Sequence, residues 1–289
     1  MPTRILILGT GLIGASLGLA LKVLVPNFSG TILGWDTNPA ELQAALELGA
    51  LDQALPNAEA VITPNGADVY VLATPVLPIL DWLQRLAPAL KPGQLVTDVG
   101  STKRDIVQLA TALYNGPGQA TFLPSHPMAG KESSGAALAD PALFRGAAWL
   151  FTPVRGSDTP QTRQWRSWIE DLGAHTHDID ADEHDRLCAW VSHLPQMLST
   201  ALAALLEDSF AADPRGREIM DAIGGRALRE TTRLGASPYS MWRDIALTNT
   251  DPIAATLHAL EQKLAHLREN LRTPELREEF TQANRFRSR

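Results

Sequence analysis

Near its N-terminus the chain reads Arg4-Ile-Leu-Ile-Leu8, followed directly by Gly9-Thr-Gly11-Leu-Ile-Gly14. The first five residues predict a short buried strand, and the leucine- and alanine-rich residues 12–25 predict a helix. Glycines at this spacing between a strand and a helix form the dinucleotide-binding fingerprint. We expect Gly9 to permit the tight turn, Gly11 to let the backbone approach a pyrophosphate, and Gly14 to let helix and sheet pack closely.

The residues around this turn favour a dinucleotide with a free ribose diol. Leu12 and Ile13 begin the predicted helix, whose unpaired N–H groups and positive dipole end would bind the phosphates. Asp36 ends the second predicted strand about 20 residues beyond Gly14, where a carboxylate accepts hydrogen bonds from the ribose and repels a 2′-phosphate. Neither of the two residues after it is an arginine. The sequence therefore predicts NAD rather than NADP; the alternative is that the glycines only shape a turn and Asp36 caps a helix.

Strand and helix signals alternate through the first half of the chain, which is typical of a parallel, doubly wound sheet. The further predicted strands are 31–35, 68–73, 94–97 and 121–123, and the further predicted helices are 39–48, 77–86 and 103–114. We assign the strand–helix–strand unit over 147–178 to the same sheet. Strand signals then disappear, and helices are predicted at 182–190, 198–210, 217–232 and 252–271. The predicted fold is a Rossmann-type α/β domain over residues 1–178, followed by an all-helical domain over residues 179–289.

Composition argues against several classes of protein. A chain of 289 residues with 45% hydrophobic and 20% charged residues is ordinary for a soluble protein of two domains. The net charge of −7 and the lack of a basic stripe argue against a nucleic-acid partner. No apolar stretch approaches the roughly 20 residues of a membrane span. The single cysteine, Cys188, excludes an intrachain disulfide and a cysteine-rich metal site, and it favours a cytoplasmic location.

Polar residues follow two of the predicted strands at the edge where such sheets bind ligands. Thr74 and Pro75 come after the strand over 68–73, and Ser101 comes after the strand over 94–97. Thr74 and Ser101 are candidates for contact with the ribose, the nicotinamide or a substrate. For Thr74, a purely structural role in the turn is an equal alternative.

The segment Phe122-Leu-Pro-Ser-His126-Pro-Met-Ala-Gly130 places a histidine in a turn after a predicted strand. A neutral imidazole can take a proton from a hydroxyl and so help hydride to leave toward NAD. The alternative is a turn histidine bonded to backbone. Three other histidines, His175, His177 and His184, lie in an acidic run that we interpret as a solvated connector between domains, so no metal site is expected.

Several motifs resemble, in order along the chain, those of the prephenate/arogenate dehydrogenase family. They are Gly9–Leu21, Asp98–Lys103, His126–Glu132, Trp190–Pro195, Thr232–Arg233 and Met241–Asp244. The resemblance implies NAD(P)-dependent oxidative decarboxylation of prephenate to 4-hydroxyphenylpyruvate in tyrosine biosynthesis. Arogenate, or both substrates as in a broad-specificity cyclohexadienyl dehydrogenase, is the alternative. The form implied is one with neither a mutase nor a regulatory domain.

The same resemblance implies roles for individual residues. His126 would accept the hydroxyl proton, and Ser101 would hydrogen-bond the same region. Arg233 would hold a substrate carboxylate and His193 would contact substrate from the helical domain. Without the resemblance, a role in packing or helix capping is the simpler interpretation of His193. Glu132 and Trp242 would line or gate the pocket, as would Glu230, where the family often has Asp. For each of these three residues, an ordinary structural role is an equal alternative. A homodimer through the helical domain is also implied, since apolar helices such as 198–206 and 253–271 look too few to close a core.

Two other classes of protein compete with this interpretation. Dehydrogenases acting on β-hydroxyacids use a lysine from the helical domain, and residues 182–210 contain none. A non-catalytic NAD-sensing module would not need Ser101, His126, His193 and Arg233 together.

Overall fold

The computed structural model describes residues 3–62, 66–131 and 133–288. Within these residues, nine strands form a six-stranded parallel sheet in the order β3-β2-β1-β4-β5-β6 and a three-stranded sheet in the order β7-β8-β9. The strands are β1 (Arg4–Leu8), β2 (Thr31–Trp35), β3 (Gln53–Ala54), β4 (Val69–Leu72), β5 (Leu95–Asp98), β6 (Thr121–Leu123), β7 (Ser125–Pro127), β8 (Ala148–Phe151) and β9 (His175–Asp178). The order of the large sheet is that of dinucleotide-binding folds, and the predicted doubly wound sheet is confirmed.

Helices flank the large sheet and make up the chain beyond β9. The α-helices are α1 (Leu12–Leu24), α2 (Pro39–Glu47), α3 (Ala58–Val61), α4 (Val76–Leu86), α5 (Arg104–Leu113), α6 (Pro160–Asp171), α7 (Ala181–Cys188), α8 (Leu194–Phe210), α9 (Pro214–Ile223), α10 (Gly225–Thr232), α11 (Tyr239–Thr248), α12 (Thr250–Glu269) and α13 (Glu275–Arg287). Short 3₁₀ helices cover Ala136–Leu138 and Arg233–Ala236, and a π-helical turn covers Ala189–His193. No helix in the part of the chain that the structure describes is long and apolar enough to cross a membrane.

Strand β1 is buried on both faces because its side chains alternate between two apolar clusters. Ile5 and Ile7 belong to the cluster on one face of the sheet, and Leu6 and Leu8 belong to the cluster on the other. All four side chains are fully buried. Truncating any of them to alanine should cost about 2–5 kcal/mol, so the strand that carries the glycine turn is held rigidly.

The second sheet corrects the prediction that residues 147–178 extend the large sheet. Strand β7 pairs with β8 in antiparallel fashion, and β8 pairs with β9 in parallel. Pro124 lies between β6 and β7, and because proline has no N–H it cannot continue the ladder of the large sheet. Its carbonyl instead accepts a hydrogen bond from the N–H of Thr152. His126 therefore lies within a strand, between Ser125 and Pro127, and not in a turn as predicted.

Helices α7 and α8 form one continuous helical stretch through the π-helical turn Ala189–His193. Pro195 explains the wide turn, because its ring has no N–H for the carbonyl of Val191 and would clash with it in a regular helix. The predicted single helix over 217–232 was wrong. Helix α9 ends at Ile223, and Gly225, the first residue of α10, has a φ of 57° that breaks the helix at this point.

The helical part contacts the loops at the carboxyl ends of β4 and β5. Asp244 of α11 accepts a hydrogen bond from the N–H of Leu77 at the start of α4, at 3.2 Å. The hydroxyls of Thr102 and Thr248 lie 2.7 Å apart. These contacts fix the helices over the edge of the sheet where the ligand-binding loops end.

Candidate active site

Of the three glycines in the glycine turn, only Gly11 has open space beside its backbone. A Cβ at Gly9, where φ is +90°, would lie 2.4 Å from the carbonyl oxygen of Ala73, and a Cβ at Gly14 would lie 2.0 Å from the carbonyl oxygen of Gly9. Neither position can hold a side chain. A Cβ at Gly11 would meet no atom within 4 Å. The backbone at Gly11 is thus the point that a pyrophosphate could approach closely.

The start of α1 and the end of β2 meet at this turn. Gly11 caps α1 without any side-chain hydrogen bond, so the N–H groups of the first turn, which includes Leu12 and Ile13, are not used by a capping side chain. One oxygen of Asp36 accepts the N–H of Thr10 at 2.6 Å and the other accepts the N–H of Asn38 at 2.8 Å. Asn38, not Asp36, caps α2. The hydroxyl of Thr10 contacts the first of these oxygens as well, at 3.4 Å. The second oxygen keeps a lone pair for a ribose hydroxyl.

Thr74 and Pro75 lie against the same turn. The methyl carbon of Thr74 lies 3.0 Å from the Cβ position of Gly9, and Pro75 caps α4. The hydroxyl of Thr74 contacts only the carbonyl of Pro75 among the described residues, at 3.4 Å. The glycine turn, the uncapped helix start and the Asp36 carboxylate together fit NAD, which when bound would accept a hydride at its nicotinamide ring.

A buried ion pair joins the end of β5 to the strand that carries His126. The ammonium of Lys103 contacts the carboxylate of Asp98 and donates to the carbonyl of Ser125 at 2.7 Å. Asp98 also accepts the N–H of Ser125 at 3.0 Å. Burial lowers the pKa of Lys103, and the adjacent Asp98 opposes that shift. This pair holds β7 against β5, although the two strands belong to different sheets.

His126 lies at one end of a chain of buried polar side chains. Its Nδ1 is 2.9 Å from Nε2 of His184, and Nδ1 of His184 is 2.8 Å from a carboxylate oxygen of Asp185. The thiol of Cys188 lies 3.6 Å from the same Nε2 of His184. Burial, with His184, Lys103 and His193 in addition, holds the pKa of His126 well below its ordinary value, so the ring is neutral at physiological pH.

The place of His184 corrects the prediction of a solvated connector. His184 and Asp185 are fully buried, whereas His175 and His177 are exposed on β9. The sequence held a signal for this: Cys188 and Ala189 lie four residues further on, so all four residues share one helical face. Sequence reasoning singled out neither Asp185 nor Asn249, and both belong to the site.

Asp185 and Asn249 connect His126 to His193. The Asp185 carboxylate accepts the N–H groups of Lys103 and Arg104 at 2.7 and 2.9 Å. The amide nitrogen of Asn249 lies 2.8 Å from the Asp185 carbonyl oxygen and 3.1 Å from Nδ1 of His193. Burial would raise the pKa of the Asp185 carboxyl, but its hydrogen bonds from His184, Arg104 and Lys103 bring the pKa below its ordinary value.

His193 is buried beside Trp242, whose ring stands edge-on to it at a centroid distance of 5.8 Å. Burial lowers the pKa of His193 to about 4. The indole N–H of Trp242 is buried and has no hydrogen-bond partner among the described residues. Arg233 begins the 3₁₀ helix that packs on α8 just beyond His193, where the side chain of Gln196 donates to the carbonyl of Leu234 at 2.7 Å.

Two of the remaining expected residues are described and one is not. Glu230 is exposed on α10, and its carboxylate accepts a hydrogen bond from the guanidinium of Arg226 at 2.6 Å. Ser101 is partly buried in the loop after β5, two residues before Lys103. Its hydroxyl makes no hydrogen bond to the described residues, so it is available to a ligand. Glu132 lies outside the described residues.

One cluster in the described part of the chain has the composition of a metal site. His126, His184 and Cys188 each place one donor atom within 4.8 Å of the others. Their mutual hydrogen bonds account for this arrangement, and burial raises the pKa of the Cys188 thiol to about 12, so it stays protonated and is a poor ligand at neutral pH. The ammonium of Lys103 also repels a cation here. The expectation of no metal stays a prediction.

Comparison with known proteins relates this geometry to one family. The model of the prephenate dehydrogenase nucleotide-binding domain matches residues 17–178, and the model of the prephenate dehydrogenase dimerization domain matches residues 180–284. A curated prephenate dehydrogenase from Lactococcus lactis subsp. cremoris is 35% identical over 92% of this chain and 70% of its own length.

Solved structures give the same result. A prephenate dehydrogenase from A. aeolicus, in complex with hydroxyphenyl propionate and NAD⁺, matches with a TM-score of 0.86 and 27% identity over 99% of this chain and 97% of its own. An arogenate dehydrogenase from Synechocystis matches with a TM-score of 0.75 and 30% identity over 99% of each chain. The chain belongs to the prephenate dehydrogenase family.

Proposed function

We propose that this protein catalyses the NAD-dependent oxidative decarboxylation of prephenate to 4-hydroxyphenylpyruvate, a step of tyrosine biosynthesis. The observation that carries the proposal is His126, a buried neutral imidazole beside the carboxyl end of a dinucleotide-binding sheet. The family membership supplies the substrate class. Prephenate is favoured over arogenate because both matching family models and the Lactococcus relative bear the name prephenate dehydrogenase.

The residues divide the work of the reaction. His126 takes the proton of the ring hydroxyl as the hydrogen on the same carbon leaves as hydride to NAD. Carbon dioxide then leaves the opposite ring carbon, its bonding electrons complete the aromatic ring, and the proton returns from His126 to the phenol oxygen. Hydride, carbon dioxide and phenol account for every atom, so no net proton is released. Ser101 would hydrogen-bond the hydroxyl region, and the alignment of hydride with nicotinamide is the main catalytic task.

The other site residues would bind the substrate from the helical side. Arg233 would pair with a carboxylate, for which a guanidinium fork is well suited. His193 and Trp242 would line the pocket next to it, and Glu132 would lie at its edge. The keto side chain of prephenate bears no charge apart from its carboxylate, so no acidic partner for an ammonium is required.

We also infer a homodimer through the helical domain, over residues 179–289. Large apolar side chains of α8, α9 and α12 are exposed in the single chain, among them Leu205, Ile223 and Leu264. Their burial against a second copy would remove apolar surface from water, and the family model that matches this part is described as a dimerization domain. A cytoplasmic location and the absence of a nucleic-acid partner stay predictions.

The test is a panel of the two cofactors and the two cyclohexadienols with purified full-length protein. We expect NADH, carbon dioxide and 4-hydroxyphenylpyruvate in equal amounts from prephenate, and a kcat/KM for NAD well above that for NADP. Turnover of arogenate alone would make arogenate, and not prephenate, the substrate. Silence with both substrates in protein that binds NAD would favour the non-catalytic NAD-sensing module instead.

A further inference from the structure

Asp185 reaches both histidines of the site through other buried side chains. Its carboxylate is linked to His126 through His184, and its backbone carbonyl is linked to His193 through Asn249. All five side chains are buried. Every hydrogen bond has one donor and one acceptor. If the group at one end can only accept, each ring nitrogen along the chain is therefore assigned as a donor or an acceptor in turn.

The branch to His126 starts from an acceptor. The Asp185 carboxylate already accepts two backbone N–H groups, so Nδ1 of His184 must donate to it. Burial lowers the pKa of His184, the ring is therefore neutral, and its Nε2 holds a lone pair. That lone pair faces Nδ1 of His126 at 2.9 Å and the protonated thiol of Cys188 at 3.6 Å. His126 must then carry its hydrogen on Nδ1, which leaves the lone pair on Nε2.

The branch to His193 also starts from an acceptor, the backbone carbonyl of Asp185, but here the side-chain amide of Asn249 lies between that acceptor and the histidine. The carbonyl of Asp185 can only accept, so Asn249 must turn its NH₂ group toward it, at 2.8 Å. The second hydrogen of that NH₂ group meets Nδ1 of His193 at 3.1 Å. Nδ1 of His193 is therefore the acceptor, and the neutral ring carries its hydrogen on Nε2.

We propose that Asp185 sets opposite tautomers in the two histidines, so that His126 offers a lone pair on Nε2 as base and His193 offers an N–H on Nε2 to a substrate oxygen. This deepens the proposed function and rests on it. Asp185, His184 and Asn249 are positioning residues, and they act only through the two histidines. An orienting carboxylate holds the catalytic histidine of serine proteases in its working tautomer in the same way.

The same chain gives the charged ring that forms in the reaction an acceptor for its Nδ1–H. When Nε2 of His126 takes the hydroxyl proton, the ring becomes a cation with hydrogens on both nitrogens. Its Nδ1–H then points at the lone pair of His184, with the Asp185 carboxylate behind it, while the ammonium of Lys103 opposes the cation. The carboxylate of Asp98 partly neutralises Lys103. The repulsion between the Lys103 ammonium and the charged His126 ring favours return of the proton to the product. The base is thereby regenerated in each turnover.

The first test measures tautomers and needs no turnover. Full-length protein labelled with ¹⁵N in its histidines is studied by NMR at neutral pH, with and without NAD, and each signal is assigned by its loss in a single substitution. We expect hydrogen on Nδ1 in His126 and His184, and on Nε2 in His193. Hydrogen on Nε2 of His126, a charged His126 ring, or hydrogen on Nδ1 of His193 would overturn the proposal, whichever substrate the enzyme uses.

The second test measures what the tautomers do. His184→Leu removes the acceptor for His126, whereas His184→Gln keeps an oxygen that can accept from it; His175→Leu, on the exposed face of β9, is the matched control. We expect His184→Leu to lower kcat/KM by about 10²–10⁴-fold with the Kd for NAD unchanged, and His184→Gln to recover part of that loss. Wild-type kcat/KM in folded His184→Leu protein would overturn the proposal.

A third variant separates the two branches. Asn249→Leu removes the donor to His193 but leaves the branch to His126 in place. We expect the ¹⁵N signal of His193 to shift toward the other tautomer and KM for the substrate to rise, while the His126 signal stays unchanged. If no cyclohexadienol is turned over, the proposed function fails, and the NMR signals alone still decide whether Asp185 sets the tautomers.

Discussion

At the residue scale, three neutral histidines are buried in the site. His126, His184 and His193 all have pKa values below the ordinary value for histidine, in each case mainly because burial disfavours the charged ring. A neutral imidazole is what both proposed roles need, a base in His126 and a hydrogen-bond donor in His193. The cost of keeping these rings neutral appears as a pH dependence of stability.

We predict that the free energy of unfolding falls as pH drops from 6.5 toward 4. Above that window the histidines are neutral in both states; within it the unfolded chain binds protons that the folded chain does not, so stability is lost as pH falls. Each buried histidine contributes a slope of about 1.4 kcal/mol per pH unit. Urea titrations across this range should show a shallower slope for His193→Gln than for the exposed control His175→Gln; equal slopes would contradict the prediction.

Arg233→Gln should chiefly raise KM for prephenate. The substitution keeps hydrogen-bond donors but removes the charge that would pair with the substrate carboxylate, so ground-state binding is lost while the reacting groups stay in place. Arg229→Gln, one helical turn earlier and also exposed, is the matched control. Steady-state kinetics with an unchanged KM in Arg233→Gln would reject the role of Arg233 in carboxylate binding.

At the scale of elements, the ion pair between Asp98 and Lys103 joins two sheets that share no ladder. We predict that Lys103→Met costs about 3–5 kcal/mol of unfolding free energy, because it leaves the buried carboxylate without its partner. The double variant Asp98→Asn with Lys103→Met should lose less than the sum of the single variants. Lys22→Met removes a pair at the surface with Asp52 and should cost about 1 kcal/mol or less by the same urea titration. A similar loss in both lysine variants would show that burial of the pair does not matter.

Helices and strands that are defined by a local pattern could be predicted from the sequence. Which strand pairs with which could not. The strand 4–8, the glycine turn and α1 follow from residues next to one another, as does the end of strands at 178. Nothing local distinguishes a strand of the large sheet from one of the small sheet, so β8 and β9 were assigned wrongly. The break at Gly225 was missed because the apolar spacing runs on through it. Residues 191–197 were left between two predicted helices, although they belong to the π-helical turn and the start of α8.

The site shows the same limit. Glycines, strand-end positions and resemblance were enough to single out His126, Asp36 and Ser101. His184 and Asp185 lie 58 and 59 residues from His126 along the chain, and only the packing of α7 against α5 brings them together. Their neighbours in sequence are acidic and exposed, so the sequence of this segment did not indicate that one face of α7 is buried.

At the scale of the whole molecule, the helical part covers the ligand edge of the sheet but leaves apolar faces of its own exposed. We predict that light scattering at micromolar concentration gives twice the chain mass of 31.3 kDa. Ile223→Glu, at a side chain that is 76% exposed, should weaken the dimer, and Val23→Glu on α1 should not. A monomeric mass for the wild-type protein would refute the inference.

If His126 is the base of a prephenate oxidation, its replacement should slow the formation of NADH from prephenate. Wild-type protein and His126→Asn are compared at saturating NAD, with the Kd for NAD measured on both. We expect turnover by the wild type and a kcat/KM lower by about 10²–10⁴-fold in the variant, with NAD binding retained. Equal rates in the two proteins, or no NADH from wild-type protein that binds NAD, would contradict this expectation.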